Sequence, residues 1–203
     1  MTLRICIYAG SSVGARAEYR DAAHALGEAL AEAGIGLVYG GGNIGLMGVA
    51  ADAALAKGGE AIGVITEQLD GHGLSHTGLS ALHIVPDMHA RKAKMAELSD
   101  AFIALPGGIG TLEELFEAWT WAQLGIHPKP VGLLNAAGFY DQLASFMDHV
   151  VAERFLKATH RDTLVVEKDA VTLIERLRNT PVAYVPKWLD KVAVEAAVDV
   201  PKK

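Results

Sequence analysis

The stretch LPGGIGTLEE, residues 105–114, runs from a glycine turn straight into two carboxylates, Glu113 and Glu114. Glycines let a backbone approach a ligand closely, and the unbonded amides at the start of a helix favour an anion. A carboxylate does the opposite work: it stabilises developing positive charge or activates water. A ligand that suits both carries a negative group and an electron-poor centre close together. Two more glycine-bearing turns follow apolar runs, YAGSSVG at 8–14 and YGGGNIGLMG at 39–48. Singly, each reads as a tight connection. Together on one rim of a sheet they would form a pocket for a phosphate-bearing ligand, with Ser11, Ser12, Gly41, Gly42, Gly108 and Gly110 among its contacts.

Each of these features also has a purely structural reading. Thr111 and Glu114 form the T-x-x-E pattern of a capping box, in which the threonine closes a helix N-terminus and the glutamate reaches back to its backbone. Acidic residues in a first turn also complement the helix dipole. Arg91 and Lys92, within HARKAK, fit a solvated helix face. The G-x-G-x-x-G of Gly40, Gly42 and Gly45 suggests a dinucleotide. It follows the second apolar run rather than the first, however, and Glu60 precedes its strand instead of ending it. A dehydrogenase is disfavoured accordingly, and the lack of a G-x-x-x-x-G-K-S/T loop disfavours Walker-type ATP hydrolysis. His72 and His76 are four apart, but the glycines around them oppose a rigid helical metal pair, and no third ligand is evident. Trp119 and Trp121 share a helical run with Phe116 and Leu124 and read as core or subunit interface. No metal or redox cofactor is expected.

Seven short apolar runs carry these turns, at 3–9, 36–39, 61–65, 82–85, 101–105, 131–134 and 164–166. Most lack polar alternation, as strands buried on both faces do. Helical patterns alternate with them: AEYRDAAHALGEALAEAG, IGLMGVAADAALAKGG, DMHARKAKMAELSD, TLEELFEAWTWAQLG, YDQLASFMDHVVAERF and DAVTLIERLRN. The first two stop at Gly34 and at Gly58-Gly59. This alternation predicts an α/β, Rossmann-like fold: a doubly wound, mainly parallel sheet of about seven strands with helices on both faces. Its ligand belongs at the carboxyl ends of the strands, near a switch in strand order. Residues 66–79, TEQLDGHGLSHTGL, read as a loop or short helix.

With 203 residues the chain suffices for one well-buried domain, expected over 1–180. Residues 181–203 read as a tail: an arm, a short helix or a partly disordered segment. The net charge of -6 opposes a non-specific nucleic-acid binder. No apolar stretch approaches the ~20 residues that cross a bilayer, and no signal peptide is evident, so a cytoplasmic protein with no membrane partner is expected. Cys6, the only cysteine, excludes an internal disulfide and sits in RICIYAG as a buried thiol would. TLEELFEAWTWAQLG is apolar on more than one face, which predicts a homodimer or higher homo-oligomer.

The segment MHARKAKMAELSDAFIALPGGIGTLEELFEAWTWAQLGIHPKPVGLLN, taken with YAGSS and YGGGNIGLMG, resembles the LOG ("lonely guy") family. Its members are cytokinin riboside 5′-monophosphate phosphoribohydrolases, often mislabelled lysine decarboxylases. The shared pattern is P-G-G-x-G-T-x-x-E preceded by an Arg-Lys pair on a helix, and the likeness extends from about Ile5 to Tyr140. The resemblance implies hydrolysis of the N-glycosidic bond of an adenine nucleoside 5′-monophosphate, N6-modified forms included, to free base and ribose 5-phosphate. It places the catalytic pair on Arg91 and Glu114. It places substrate contacts on Lys92, Gly108, Ile109, Gly110, Thr111, Leu112, Glu113 and Thr120, and it implies pairing of chains through helices beside the site. One departure is the lack of an acidic residue at 71–75, where relatives often carry one. Two other readings stand beside this one. Amino-acid decarboxylation requires a pyridoxal phosphate lysine that no context marks. A non-catalytic carrier of a nucleotide or of the molybdenum cofactor would use a similar fold.

Overall fold

A computed structural model describes residues 2–180; the tail expected over 181–203 lies outside the described residues. Seven strands form one sheet: β1 (Arg4–Tyr8), β2 (Gly36–Tyr39), β3 (Ala61–Thr66), β4 (Ala81–Val85), β5 (Ala101–Ala104), β6 (Val131–Leu134) and β7 (Leu164–Glu167). The helices are α1 (Ala17–Glu32), α2 (Gly45–Ala56), α3 (Glu67–Gly71), α4 (Met88–Glu97), α5 (Ile109–Gln123), α6 (Asp141–Ala152), α7 (Ala158–Arg161) and α8 (Ala170–Asn179). Strand order is β4-β3-β2-β1-β5-β6-β7, and every pairing is parallel.

The absence of polar alternation in the strands now has a physical cause. Helices cover both faces of the sheet, so successive side chains of β1 enter different cores. Ile5 and Ile7 pack with Leu26 and Leu30 of α1, Ala50 of α2 and Leu173 of α8. Cys6 and Tyr8 pack with Met95 of α4, Leu115 and Trp119 of α5 and Met147 of α6. Burial pushes the Cys6 thiol well above its ordinary range, as expected for an inert core residue. Only β4, at the edge, is partly exposed along its length. On one face α1 and α2 pack without an intervening side chain: a Cβ on Gly27 would come within 2.2 Å of the Ala50 carbonyl oxygen. The ~1 kcal/mol that glycine ordinarily costs inside a helix is accepted there because nothing larger fits.

The chain leaves β1 toward β2 and β5 toward β6 in opposite directions, so the loops after β1 and β5 diverge and open a crevice at the switch point. Tyr8 lies in register with Ala104, which brings the two glycine turns side by side. Residues 66–79 contain the short α3, whose start is closed by the Thr66 hydroxyl accepting the Leu69 amide at 3.4 Å. Among the described residues no helix is long and apolar enough to cross a membrane.

One expectation is corrected. α5 starts at Ile109, two residues before the threonine of the presumed capping box, and its N-cap is Gly108 with no side-chain cap. Thr111 is the third residue of the helix and is buried, with its hydroxyl under Gly107, where a Cβ would lie 2.1 Å from Oγ1. Glu113 and Glu114 fall beyond the first turn, so neither closes the helix start. Glycines at 107, 108 and 110 let the backbone coil earlier than a side-chain cap would require.

Candidate active site

Backbone hydrogen bonds tie the turns after β1 and β5 together. The Gly10 amide donates to the Pro106 carbonyl at 3.0 Å, and the Leu105 amide donates to Tyr8 at 2.8 Å. From below, the buried Tyr140 hydroxyl donates to the Leu105 carbonyl at 2.6 Å, and Asn135 Oδ1 accepts the Tyr140 amide. Ser11, Gly108, Ile109, Gly110 and Thr111 line a cleft of about 320 Å³. The amides of residues 107–111 have no protein acceptor among the described residues. A Cβ on Gly108 or Gly110 would meet nothing within 4 Å, so the helix start faces open space. Free amides and the positive end of a 15-residue helix converge there, an arrangement suited to phosphate.

The turn after β2 plays a different part from the one the sequence suggested. Gly41 (φ +72) packs on Ile65 and Leu82, its carbonyl accepts the His76 amide, and Gly42 forms an antiparallel bridge with Ser75. Neither lines the cleft. This turn supports its neighbour instead: the Leu46 amide donates to the Gly10 carbonyl at 3.0 Å, and Gly45 packs directly on Ser11. Met47, one residue further on, does face the cleft, as does Met88. Sequence reasoning missed both as cleft walls, although Met88 lies one helical turn from Arg91, a spacing that puts them on one face.

Arg91 does not sit on a solvated helix face. Asp87 caps α4 by accepting the Ala90 amide at 2.8 Å, and Arg91, one turn in, is only 8% exposed. Its Nε donates to the Val64 carbonyl at 2.9 Å and Nη2 to the Gly40 carbonyl at 3.0 Å. The remaining Nη1 points at Glu114, 3.6 Å from Oε1, a charge contact rather than a hydrogen bond. Burial pushes the Glu114 carboxyl up to about 7; Arg91 opposes the shift and Glu113 reinforces it. A carboxyl so tuned exchanges its proton near neutral pH, as a catalytic acid or base must.

Lys92 points away from this pair. It bonds Glu113 Oε1 at 2.5 Å and Glu117 Oε1 at 3.1 Å. Burial pulls its pKa down, but the bonds from Glu113 and Glu117 outweigh that and leave it raised. Leu112 packs half-buried against the core, and Thr120 is exposed on α5 without lining the cleft. Ser12 lines an adjoining hollow, and its hydroxyl accepts the Gly14 amide at 3.3 Å. His76 pairs with Asp52 at 2.8 Å and not with His72. Among the described residues no group of three or more His, Cys, Asp or Glu side chains is placed to hold a metal ion. Asp70, just before the 71–75 stretch, accepts the Ser75 hydroxyl through Oδ1 and does not line the cleft.

A parallel sheet with a free-amide cradle at its switch point, beside a largely buried carboxyl, defines a Rossmann-type fold with an anion-suited turn at its usual ligand position. Its backbone matches the molybdenum cofactor binding protein from Rippkaea orientalis with a TM-score of 0.68 and 23% identity, over 88% of this chain and 97% of that one. It matches the molybdenum cofactor carrier protein from Chlamydomonas reinhardtii with a TM-score of 0.67 and 22% identity, over 89% and 100%. At such identities the likeness shows the fold alone. In sequence, a family model described as "Possible lysine decarboxylase" matches residues 47–177. The cytokinin riboside 5'-monophosphate phosphoribohydrolase LOG1 of Arabidopsis thaliana is 50% identical over 190 residues, 94% of this chain and 87% of the relative. The enzyme LOG of Oryza sativa subsp. japonica is 50% identical over 185 residues, 91% of this chain and 75% of the relative. The chain belongs to the LOG family.

The raised Glu114 carboxyl has a consequence for stability. Its folded value of about 7 lies above the ordinary glutamate value of 4.5, so the native state holds a proton that the unfolded chain releases. That contribution is complete below pH ~4.5 and is lost as pH rises through about 7. Glutamine mimics the neutral form at every pH. We expect Glu114→Gln to melt above the wild type at pH 8, and the gap to close toward pH 5, in parallel thermal scans. A gap independent of pH would contradict the shift.

Proposed function

We propose that this chain hydrolyses the N-glycosidic bond of adenine nucleoside 5′-monophosphates, with N6-modified bases of the cytokinin type among its substrates. Water enters, the base leaves carrying a proton, and ribose 5-phosphate remains. The observation that carries this reading is the adjacency of the free-amide cradle at residues 107–111 to the Arg91–Glu114 pair in one cleft. Phosphate suits the first and a ribose anomeric carbon suits the second, and ribose 5-phosphate joins them within a few ångströms.

Departure of a base leaves oxocarbenium-like positive charge on the sugar, as in other glycoside hydrolysis. Ionised Glu114 beside that carbon stabilises the charge or takes a proton from the attacking water. Arg91, held by two backbone carbonyls, keeps its position while Glu114 changes charge. With Glu114 protonated the pair is cationic, which favours entry of the phosphate. Binding energy from that phosphate can then orient the sugar. Gly108, Ile109, Gly110 and Thr111 act through their amides, together with Ser11 and Ser12 of the neighbouring turn. Glu113 and Lys92 set the field around Glu114, and Lys92 reaches substrate only by releasing its carboxylates.

The decarboxylase label does not fit this site. A Schiff-base lysine must lose its proton, whereas Lys92 is held protonated by two glutamates. A carrier without catalysis would give a carboxyl poised near neutrality no task. Ligand binding without turnover would favour that carrier reading. We also assign a homodimer or higher homo-oligomer. The support is the apolar surface along and beyond α5, where Phe116 and Trp121 are half-buried and Leu124 and Ile126 are exposed.

Three outcomes follow. AMP should be cleaved far better than adenosine when free adenine is measured by chromatography; equal efficiency would overturn the phosphate assignment. Glu114→Gln should retain its fold and its nucleotide binding but lose ~100-fold or more in turnover, the scale of a positioned catalytic group. Turnover within a few-fold of wild type would remove Glu114 from the chemistry. Light scattering at micromolar concentration should give at least twice the chain mass, and a monomer would defeat the oligomer assignment.

A further inference from the structure

The glycine turns after β1 and β5 stand between two hollows rather than beside one. Gly10, Ser11 and Gly108 line both. The first hollow holds Arg91 and Glu114. The second, about 280 Å³, adjoins it across these shared residues and contains neither Arg91 nor Glu114. Its walls are Val13, Tyr19, Leu46, Pro106 and Phe139, and no charged side chain lines it.

Two aromatic rings form its outer wall. Tyr19 of α1 and Phe139 meet edge to face, with centroids 5.6 Å apart and planes at 80°. Phe139 rests in turn on Tyr140, at 4.9 Å and 87°. Arg16 braces the wall from behind: its guanidinium lies 5.8 Å from the Tyr19 ring centroid, and Nη1 donates to the Ala137 carbonyl at 3.2 Å. Ala137 has φ +50, a conformation alanine rarely adopts, in the turn that carries Phe139. The second hollow is thus an ordered apolar pocket with aromatic edges, opening onto free amides and the hydroxyls of Ser11 and Ser12.

A mainly apolar hollow with aromatic walls and no charged side chain suits a flat, uncharged ring. What such a ring is attached to follows from the shared residues. Under the function proposed above, on which this inference rests, the 5′-phosphate sits at Gly108 and Ser11, the junction of the hollows. The ribose extends from it toward Glu114. A second substituent on the phosphorus side has the adjoining Tyr19–Phe139 pocket within reach across the same shared residues. We infer that this pocket binds the far ring of a dinucleotide whose nucleosides are joined 5′ to 5′ through pyrophosphate, with its near nucleoside in the Arg91–Glu114 cleft.

Diadenosine pyrophosphate and AMP, titrated calorimetrically into the Glu114→Gln protein, test this without turnover. The dinucleotide should bind at least about tenfold more tightly than AMP, the scale of one base stacked on aromatic side chains. Phe139→Ala, introduced into the same background, should abolish that advantage and leave AMP affinity unchanged. Val13→Trp fills the pocket from an exposed loop position and should do the same if Phe139→Ala fails to fold. A dinucleotide that binds no better than AMP, or an advantage untouched by a folded pocket variant, would overturn the second pocket while leaving the phosphate cradle intact. Failure of AMP itself to bind would overturn the cradle and this inference together.

Discussion

A guanidinium that is only 8% exposed has to be hydrogen-bonded on nearly every side, and much of the site's layout follows from how Arg91 meets that demand. Its bonds go to the Gly40 carbonyl, just beyond the end of β2, and to the Val64 carbonyl of β3, one residue past Gly63, where pairing with β2 stops. Strand ends are where parallel strands leave carbonyls without ladder partners, so the rim of the sheet supplies neutral acceptors that fix the side chain without cancelling its charge. The third nitrogen, Nη1, has only a weak contact to Met88 Sδ at 3.9 Å and faces Glu114 at 3.6 Å. Because that contact is too long for a hydrogen bond, burial outweighs it and the carboxyl titrates near 7. A closer, bidentate pair would have held Glu114 ionised and removed its capacity to exchange a proton.

Charge on α5 is divided on the same logic. Three glutamates lie within five residues, yet only Glu114 is both buried and short of a close partner. Glu113 and Glu117 are taken up by the Lys92 ammonium, which crosses from α4. That lysine neutralises carboxylates that would otherwise repel a phosphate at the head of the same helix. Adjacent residues of α4, Arg91 and Lys92, thus serve opposite sides of one carboxylate row, a consequence of the ~100° turn between successive helical positions.

Much of this was legible in the chain. Strands buried on both faces show as unbroken apolar runs, and all seven were found that way because helices cover the sheet on both sides. The turns after β1 and β5 also stood out by residue type, whereas Arg91 and Glu114 were singled out by the family resemblance, since their local patterns read as a solvated face and a cap. What sequence could not convey was which missing Cβ atom faces a ligand and which faces protein. Gly41 and Gly42 look like Gly108 and Gly110 on paper, but the first two are packed against β3 and the 72–79 segment while the others open on the cleft. The T-x-x-E pattern misled for a related reason: it presumes that a polar side chain must close the helix, whereas glycines leave the amides of α5 open for a ligand. Thr120 fell outside the cleft because seven positions along α5 carry it two turns beyond Glu113, farther than one chain's pocket reaches.

Gly40 ties the second turn to the chemistry in a way its motif does not suggest. A Cβ there would lie 1.8 Å from Arg91 Nη2, far inside van der Waals contact, and the two residues stand 51 positions apart. A side chain at 40 is therefore incompatible with Arg91 in its present conformation, bonded to the Gly40 carbonyl. In mutational terms the two sites are coupled: a shorter residue at 91 would release position 40 from its constraint, and an alanine at 40 would push the guanidinium off the Gly40 carbonyl and away from its present place beside Glu114.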